Sequence, residues 1–359
     1  MLKLSYSVKS VEQRAGQLLE DLLRRIPMLD IAEVKIGRAG KDPGIDLSAR
    51  VRANKHEYLL VAEVKQSGQP RFARDAINQL KAYISRDQPK AIPIFIAPFL
   101  TVATRQVCRN EGVGYLDFEG NVFLSFGTIY IETSTPSRPE AERREIRSLF
   151  KPRSAEVLRV LLRSPGRAWK LSELAEESGV SIGHVSNVRN ALGNREWIQR
   201  QGSGVCLKEP DLLLDAWREA YRIPALEELK LYTPLHGKSW EKALRDFFDS
   251  SSSSRVALAS FSSAQWMAAY GRTTTQFLYS EPETVAALKA SLGMTKPSIG
   301  ENVIVWVPND PGVFTDSFVA DGKVRCTSPL QTYLDLSQAG ERGLEAAEHL
   351  RKARLTWLK

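Results

Sequence analysis

The sequence predicts an α/β protein of several modules, the first built on a mixed sheet with helices on its faces. Three observations predict it. Segments of helical and strand periodicity alternate through the first 132 residues. The segment Ala91–Ala97 is apolar throughout, as in a strand covered on both sides. A run rich in Thr, Ser and Pro, Thr133-Ser134-Thr135-Pro136-Ser137-Arg138-Pro139, reads as a connector. With 359 residues, each of two or three domains can bury its own core.

The elements follow in order. Residues 8–25 place Val11, Ala15, Leu18, Leu19, Leu22 and Leu23 at helical spacing, and Pro27 follows. Strands are expected at Ala32–Gly37, Ile45–Ala53 and Tyr58–Gln66. A second helix runs from Arg71 to Ile84, with Phe72, Ala76, Leu80 and Tyr83 on one side. The strand Ala91–Ala97, a helix Thr101–Glu111 and short strands at Gly114–Phe118, Val122–Phe126 and Ile129–Glu132 complete the first module. The boundaries are 1–132, a linker at 133–151, a helical module at 152–210 and an α/β module at 211–359. In the last, helices are expected at Trp217–Tyr221 and Ser239–Asp249, and strands at Val256–Ser260, Thr275–Tyr279 and Val303–Val307. A mobile loop is expected at Ser250–Ser254, and the end from Pro329 is helical.

Charge divides the same chain. The formal net charge is +8; residues 1–210 hold 33 Lys and Arg against 24 Asp and Glu, and residues 211–359 hold 17 against 18. A basic front fits a polyanion. The neutral back is compatible with a protein partner. Cys108, Cys206 and Cys326 are far apart, without metal-ligand spacing, and read as reduced thiols in a cytoplasmic protein. The first 30 residues are amphipathic rather than a signal peptide. The longest apolar run, Ala91 to Ala103, is too short to span a bilayer, and no membrane partner is expected.

The chemistry concentrates at Asp46 and at Glu63-Val64-Lys65. Side chains alternate along a strand, so Glu63 and Lys65 share one face and Val64 points into the core. Two carboxylates meeting from neighbouring strands offer hard oxygen ligands to a divalent cation such as Mg²⁺. Pro43, Asp46 and Glu63-Val64-Lys65 resemble the PD-(D/E)xK signature of the restriction-endonuclease-like superfamily, over residues 5–131. Gln79 matches a glutamine of several of its resolvase-type and repair-type members. The resemblance implies Mg²⁺-dependent hydrolysis of phosphodiesters. Asp46, Glu63 and the Val64 carbonyl would hold metal, Lys65 would position water or steady the oxyanion, and Gln79 would contact a metal-bound water or phosphate. Glu12 or Glu20 would be an extra acid, and Lys55, Arg71 and Arg74 backbone contacts. The blander reading makes Glu63 and Lys65 surface residues of an edge strand.

In 152–208 the anchors Leu171, Leu174, Ala175, Val180, Val185, Val188 and Leu192, with Gly179 at the turn, have the pattern of a winged helix-turn-helix. Its third helix would present Ser181, His184, Ser186, Asn187, Arg189 and Asn190 to double-stranded DNA, and its wing Arg200 and Gln201. Winged helices also serve as protein-binding modules, and a homodimer is compatible with the motif, although no sequence element specifies one.

Near the end, Ser328-Pro329-Leu330-Gln331-Thr332-Tyr333-Leu334-Asp335-Leu336 and Gly340-Glu341-Arg342-Gly343-Leu344-Glu345-Ala346-Ala347-Glu348 resemble the AbiEi antitoxin family of type IV toxin–antitoxin and abortive-infection systems, over residues 152–359. Gly112 to Asn121 is similar to a segment of such regulators. The resemblance implies a DNA-binding transcriptional regulator that counters a nucleotidyltransferase toxin, with a cognate toxin or defence protein as partner of 211–359. The nuclease-like front departs from a simple antitoxin and leaves an endonuclease or a non-catalytic scaffold as alternatives. Physically, Leu330, Tyr333, Leu334 and Leu336 make an apolar helix face, and Arg342 and Glu345 a surface pair. No catalytic constellation is legible in that module.

Overall fold

The computed structural model describes residues 8–36, 45–136, 138–250, 255–271, 273–298, 300–321 and 323–357. The chain divides into two compact units. One runs to Glu145 and takes in Arg189–Ile198; the other comprises Ile146–Val188 and the chain from Gln199 onward.

The first unit is built from α1 (Val8–Arg24), β1 (Leu29–Ile36), β2 (Leu47–Ala53), β3 (His56–Val64), α2 (Pro70–Asp87), β4 (Ile92–Ala97), α3 (Val102–Asn110), β5 (Gly114–Asp117), β6 (Val122–Phe126), β7 (Ile129–Thr133) and α4 (Glu140–Leu149). Its seven strands lie in sequence order in one sheet. The pairs β3–β4 and β4–β5 are parallel and the rest antiparallel. The mixed sheet with helices read from the sequence is therefore present.

Two apolar layers sandwich this sheet. On one face Val11, Ala15, Leu19 and Leu23 of α1 pack with Leu60, Ala62 and Val64 of β3. Leu19 and Leu23 are fully buried, each worth about 1.5–3 kcal/mol relative to exposure. On the other face Val61 and Phe95 pack with Ala73, Ala76, Ile77 and Leu80 of α2 and Cys108 of α3. The alternation along β3 thus sends even-numbered residues toward α1 and odd-numbered ones toward α2. Asn54 and Lys55 form the two-residue turn between β2 and β3, with φ of 48° and 68°. Positive φ at both positions is what a type I′ hairpin turn requires.

The expected linker 133–151 holds a helix. Buried Arg195 donates to Glu142 at 3.2 Å and to Glu145 at 2.9 Å, both on α4, and Gln69 also donates to Glu142. Its alternating charges hid a helix whose acids are taken by a buried guanidinium.

Beyond α4 come α5 (Pro152–Arg163), α6 (Leu171–Ser178), α7 (Ile182–Asn194), β8 (Ile198–Gln201), β9 (Gly204–Leu207), α8 (Pro210–Ala220), β10 (Ala225–Leu231), α9 (Gly237–Ser250), β11 (Val256–Leu258), α10 (Ser260–Ala264), β12 (Gln276–Ser280), α11 (Val285–Ser291), β13 (Val303–Pro308), β14 (Phe318–Ala320), β15 (Val324–Cys326), α12 (Pro329–Leu336) and α13 (Gly340–Arg354). The division between the units cuts α4 after Glu145, α7 after Val188 and β8 after Ile198. Gly179 ends α6 at φ 63°, a conformation that disfavours a Cβ, and Val180 closes the turn by donating to Ala175. The strands β8 and β9 form a separate two-stranded ribbon, and the remaining six form a mixed sheet, β10-β13-β12-β11-β15-β14. The segment β10 was missed because Leu226-Glu227-Glu228 interrupts its alternation; it is an edge strand with Leu226 exposed. The expected loop at Ser250–Ser254 falls mostly outside the described residues.

Candidate functional site: an acid pair, a lysine and a glutamine

The sequence places Glu63 and Lys65 on one shared face; the structure puts that face on the α2 side of the sheet, where their side chains meet Gln79 of α2. Lys65 Nζ lies 2.8 Å from Glu63 Oε2 and 2.8 Å from Gln79 Oε1. Asp46, just before β2, accepts the Val64 amide on Oδ2 at 2.8 Å, and its own amide donates to Ala62. Asp46 is thus fixed by backbone on both sides. All four predicted side chains, Asp46, Glu63, Lys65 and Gln79, belong to one cluster. Pro43 lies outside the described residues.

The cluster grades from interior to surface. Glu63 is 5% exposed, Asp46 and Lys65 are half-buried, and Gln79 is exposed. Burial pushes the Glu63 carboxyl up to about 7; the hydrogen bond from Lys65 opposes this, and the Asp46 carboxylate adds to it. The surface reading of Glu63 is therefore overturned: β3 is an interior strand, paired on both sides.

The donor set suits a hard cation. Two carboxylates repelling each other in a partly dry site are what a divalent ion would relieve. Among the described residues, no group of three or more His, Cys, Asp or Glu could hold a metal. The extra acid is expected on α1, at Glu12 or Glu20. That helix packs on the opposite face of the sheet, and Glu20 is paired with Arg24. Of the expected backbone contacts, Lys55 sits in the β2–β3 turn, Arg74 pairs with Glu196 at 2.7 Å, and Arg71 is exposed.

The predicted DNA-contact residues sort by exposure. Ser181, Asn187, Asn190, Arg200 and Gln201 are exposed, while His184, Ser186 and Arg189 are half-buried. His184 Nε2 lies 3.0 Å from Ser154 Oγ on α5, so its ring is engaged inside the protein. Arg189 donates to Asn190 Oδ1 at 2.7 Å.

Two regions that the sequence marked without explaining are structural. In the Gly112–Asn121 segment, buried Asp117 accepts amides from Leu100, Glu119 and Asn121 and the Asn121 side chain, and so holds a turn. Along α12, all seven residues from Leu330 to Leu336 are buried. Asp335 Oδ1 accepts from Tyr221 at 2.6 Å, Tyr279 at 2.9 Å and Gln331 at 2.9 Å. Burial pushes the Asp335 carboxyl up to about 7 despite these bonds. Gln331 Oε1 in turn accepts from buried Arg159 at 2.8 Å. The apolar face read from Leu330, Tyr333 and Leu334 is real; the signal missed was Gln331 and Asp335 at i, i+4 in a run too apolar to be a surface. Glu345 accepts the Tyr270 hydroxyl at 3.1 Å. All three cysteines are free and buried; burial raises the Cys108 and Cys326 thiols to about 12.

Fold and site define a mixed α/β protein of two units, one with an acid–lysine cluster at the end of a central strand. No helix among the described residues is long and apolar enough to cross a membrane. Residues 206–356 match the family described as "Transcriptional regulator, AbiEi antitoxin, Type IV TA system". The resemblance read over 152–359 thus narrows to the segment from Cys206. Solved structures with local similarity include EndoMS in apo form, at 17% identity over 32% of this chain and 48% of that one, with a TM-score of 0.23. A repair endonuclease from Pyrococcus abyssi follows at 16%, 32%, 49% and 0.23, and an EndoMS–dsDNA2 complex at 20%, 33%, 47% and 0.21. The chain spans about half the length of these structures. No curated protein matches the chain.

Proposed function

We propose that the protein is a double-stranded-DNA-binding regulator of toxin–antitoxin or defence type. The observation that carries this reading is the match of 206–356 to the AbiEi regulator family. It continues directly from a helix pair, α6 and α7, with exposed Ser181, Asn187 and Asn190, and from a ribbon carrying exposed Arg200 and Gln201. We read α5 to β9 as a winged helix-turn-helix, with the exposed polar side chains meeting base edges and phosphates. A toxin or defence protein is the proposed partner of the 211–359 segment. In a gel-shift assay with DNA from the upstream region of its own gene, Asn187→Ala and Arg189→Ala should each weaken binding about tenfold, the scale of one base contact. Parent-like affinity in both variants rejects the assignment of α7.

The convergence of Asp46, Glu63, Lys65 and Gln79 favours a second reading, cleavage of the bound DNA. Asp46, Glu63 and the Val64 carbonyl would hold Mg²⁺. When bound, the metal would supply Lewis-acid polarisation of a phosphate and a more acidic water. The chain's own residues supply orientation. The backbone bonds to Asp46 fix one carboxylate, burial fixes Glu63, and Lys65, steadied by Gln79, places positive charge where a phosphorane would carry negative charge. Supercoiled plasmid incubated with the protein and Mg²⁺ tests it. Metal-dependent nicking that falls by two orders of magnitude or more in Asp46→Ala and Lys65→Ala supports cleavage. Salt-sensitive binding without nicking leaves the regulator reading alone.

A further inference from the structure

A cavity of about 680 Å³ opens within the second unit. Its walls come from the C-terminal end of α5, the loop after it, the first turn of α12 and the segment following α13. That volume suits a ligand of nucleotide size. Its lining includes four arginines, Arg159, Arg163, Arg167 and Arg354, and one carboxylate, Asp316; Glu156, Glu173 and Glu177 reach the arginines from outside the lining.

Three of the arginines are exposed and already held in place. Arg163 pairs with Asp316 at 2.6 Å and with Glu177 at 3.4 Å. Arg167 lies 3.7 Å from the centroid of the Trp169 ring and 3.8 Å from Glu173. Arg354 donates to the Met267 carbonyl at 3.1 Å, and among the described residues no carboxylate pairs with it. The fourth differs. Arg159 is 4% exposed, gives one nitrogen to Gln331, and keeps Glu156 only at 3.6 Å. Its Nη1 is buried with no hydrogen-bond partner among the described residues. The Trp217 ring at 5.4 Å and the charge of Asp335 also favour this guanidinium, but a buried donor left without an acceptor is costly, and an anion nearby offsets the cost.

Two further features bear on the occupant. Ser328, Pro329 and Leu330 line the cavity at the N-terminus of α12, which carries partial positive charge. Leu162, Pro165, Leu355 and Trp357 supply apolar and aromatic surface beside the cations. Guanidinium forks match the oxygens of phosphate, and an indole offers a flat face to a ring system. We propose that this cavity binds a small phosphorylated ligand of the nucleoside-phosphate class, its phosphate among the arginines and its base against Trp357. Because α5 and α12 both line the site, an occupant adds contacts to both.

A DNA strand carries the same phosphate chemistry, so the test separates the two sources. The full chain is titrated calorimetrically with ADP, with adenosine and with a short DNA duplex, all in EDTA so that the acid pair of the first unit holds no metal. ADP should bind saturably and adenosine about tenfold more weakly or worse. Arg163→Ala and Arg354→Ala, both at exposed positions, should each weaken ADP binding about tenfold, the loss of a charge-assisted hydrogen bond, while leaving thermal unfolding near that of the parent. Absence of saturable ADP binding overturns the proposal, as does parent-like affinity in both variants. Displacement of ADP by the duplex, lost in Arg354→Ala, overturns it too by assigning the arginines to the DNA backbone. None of these outcomes depends on how α7 performs in the gel shift.

Discussion

Each unit buries one carboxylate whose pKa is driven up to about 7, Glu63 in the first and Asp335 in the second. They arrive there in opposite company. Asp335 is enclosed by two tyrosine hydroxyls and an amide, all donating to the same oxygen. Glu63 has a lysine, a second carboxylate and an exposed glutamine leading outward to solvent. The difference teaches that a raised carboxylate pKa does not by itself mark a reactive site. Neutral donors locked around an acid make a structural rivet, whereas charges graded toward water make a place where a cation or a phosphate can enter.

Mutation breaks the comparison most sharply. Asp335→Ala strands two buried hydroxyls and the Gln331 amide and should destabilise the protein by about 3 kcal/mol, measured by urea unfolding. Glu63→Gln should leave stability unchanged within about 1 kcal/mol or raise it, because it removes an acid that burial disfavours in its charged form. Equal losses in the two variants would mean that Glu63 is structural as well.

Protons sharpen it next. Folding raises both acids, from 4.5 for Glu63 and 3.8 for Asp335 to about 7. Each therefore contributes stability that is fully present below its unfolded value and is lost as pH rises through about 7. Unfolding free energies measured from pH 4 to 8 should fall with pH, and Asp335→Asn should flatten that slope by at most about 1.4 kcal/mol per pH unit. On the cleavage reading, the acid pair should respond to a cation as well, through Glu63. Calorimetric Mg²⁺ affinity of the parent should drop about tenfold per pH unit below about 7, as protons compete for the carboxylate, and Glu63→Gln should abolish the dependence. A small loss is expected outside both acids: Gly179→Ala, at φ 63°, should cost about 1 kcal/mol in urea unfolding.

Much of the first unit was legible because its signals are local. Strand alternation placed Glu63 with Lys65 and sent Val64 to the core, and the resemblance alone singled out Gln79 on the helix that follows. The four-residue cluster could be assembled from periodicity and the resemblance. Local signals fail where a partner lies far away in sequence. The helix α4 reads as a charged connector until Arg195 is brought to Glu142 and Glu145, fifty-odd positions apart. Likewise Asp335 has no partner to name until Tyr221 and Tyr279 close on it from 114 and 56 positions away. His184 looked free for a phosphate because nothing nearby in sequence announces Ser154.

The turn at Asn54–Lys55 has a consequence for how the acid–lysine cluster can be gained or lost. Two residues there set the phase of β3. Inserting a single residue while keeping the strand paired would swing Glu63 and Lys65 beneath α1 and bring Val64 toward α2. A hairpin of fixed length is thus a silent guardian of the acid pair, and an insertion there would extinguish the site with every one of its residues still spelled correctly in the gene.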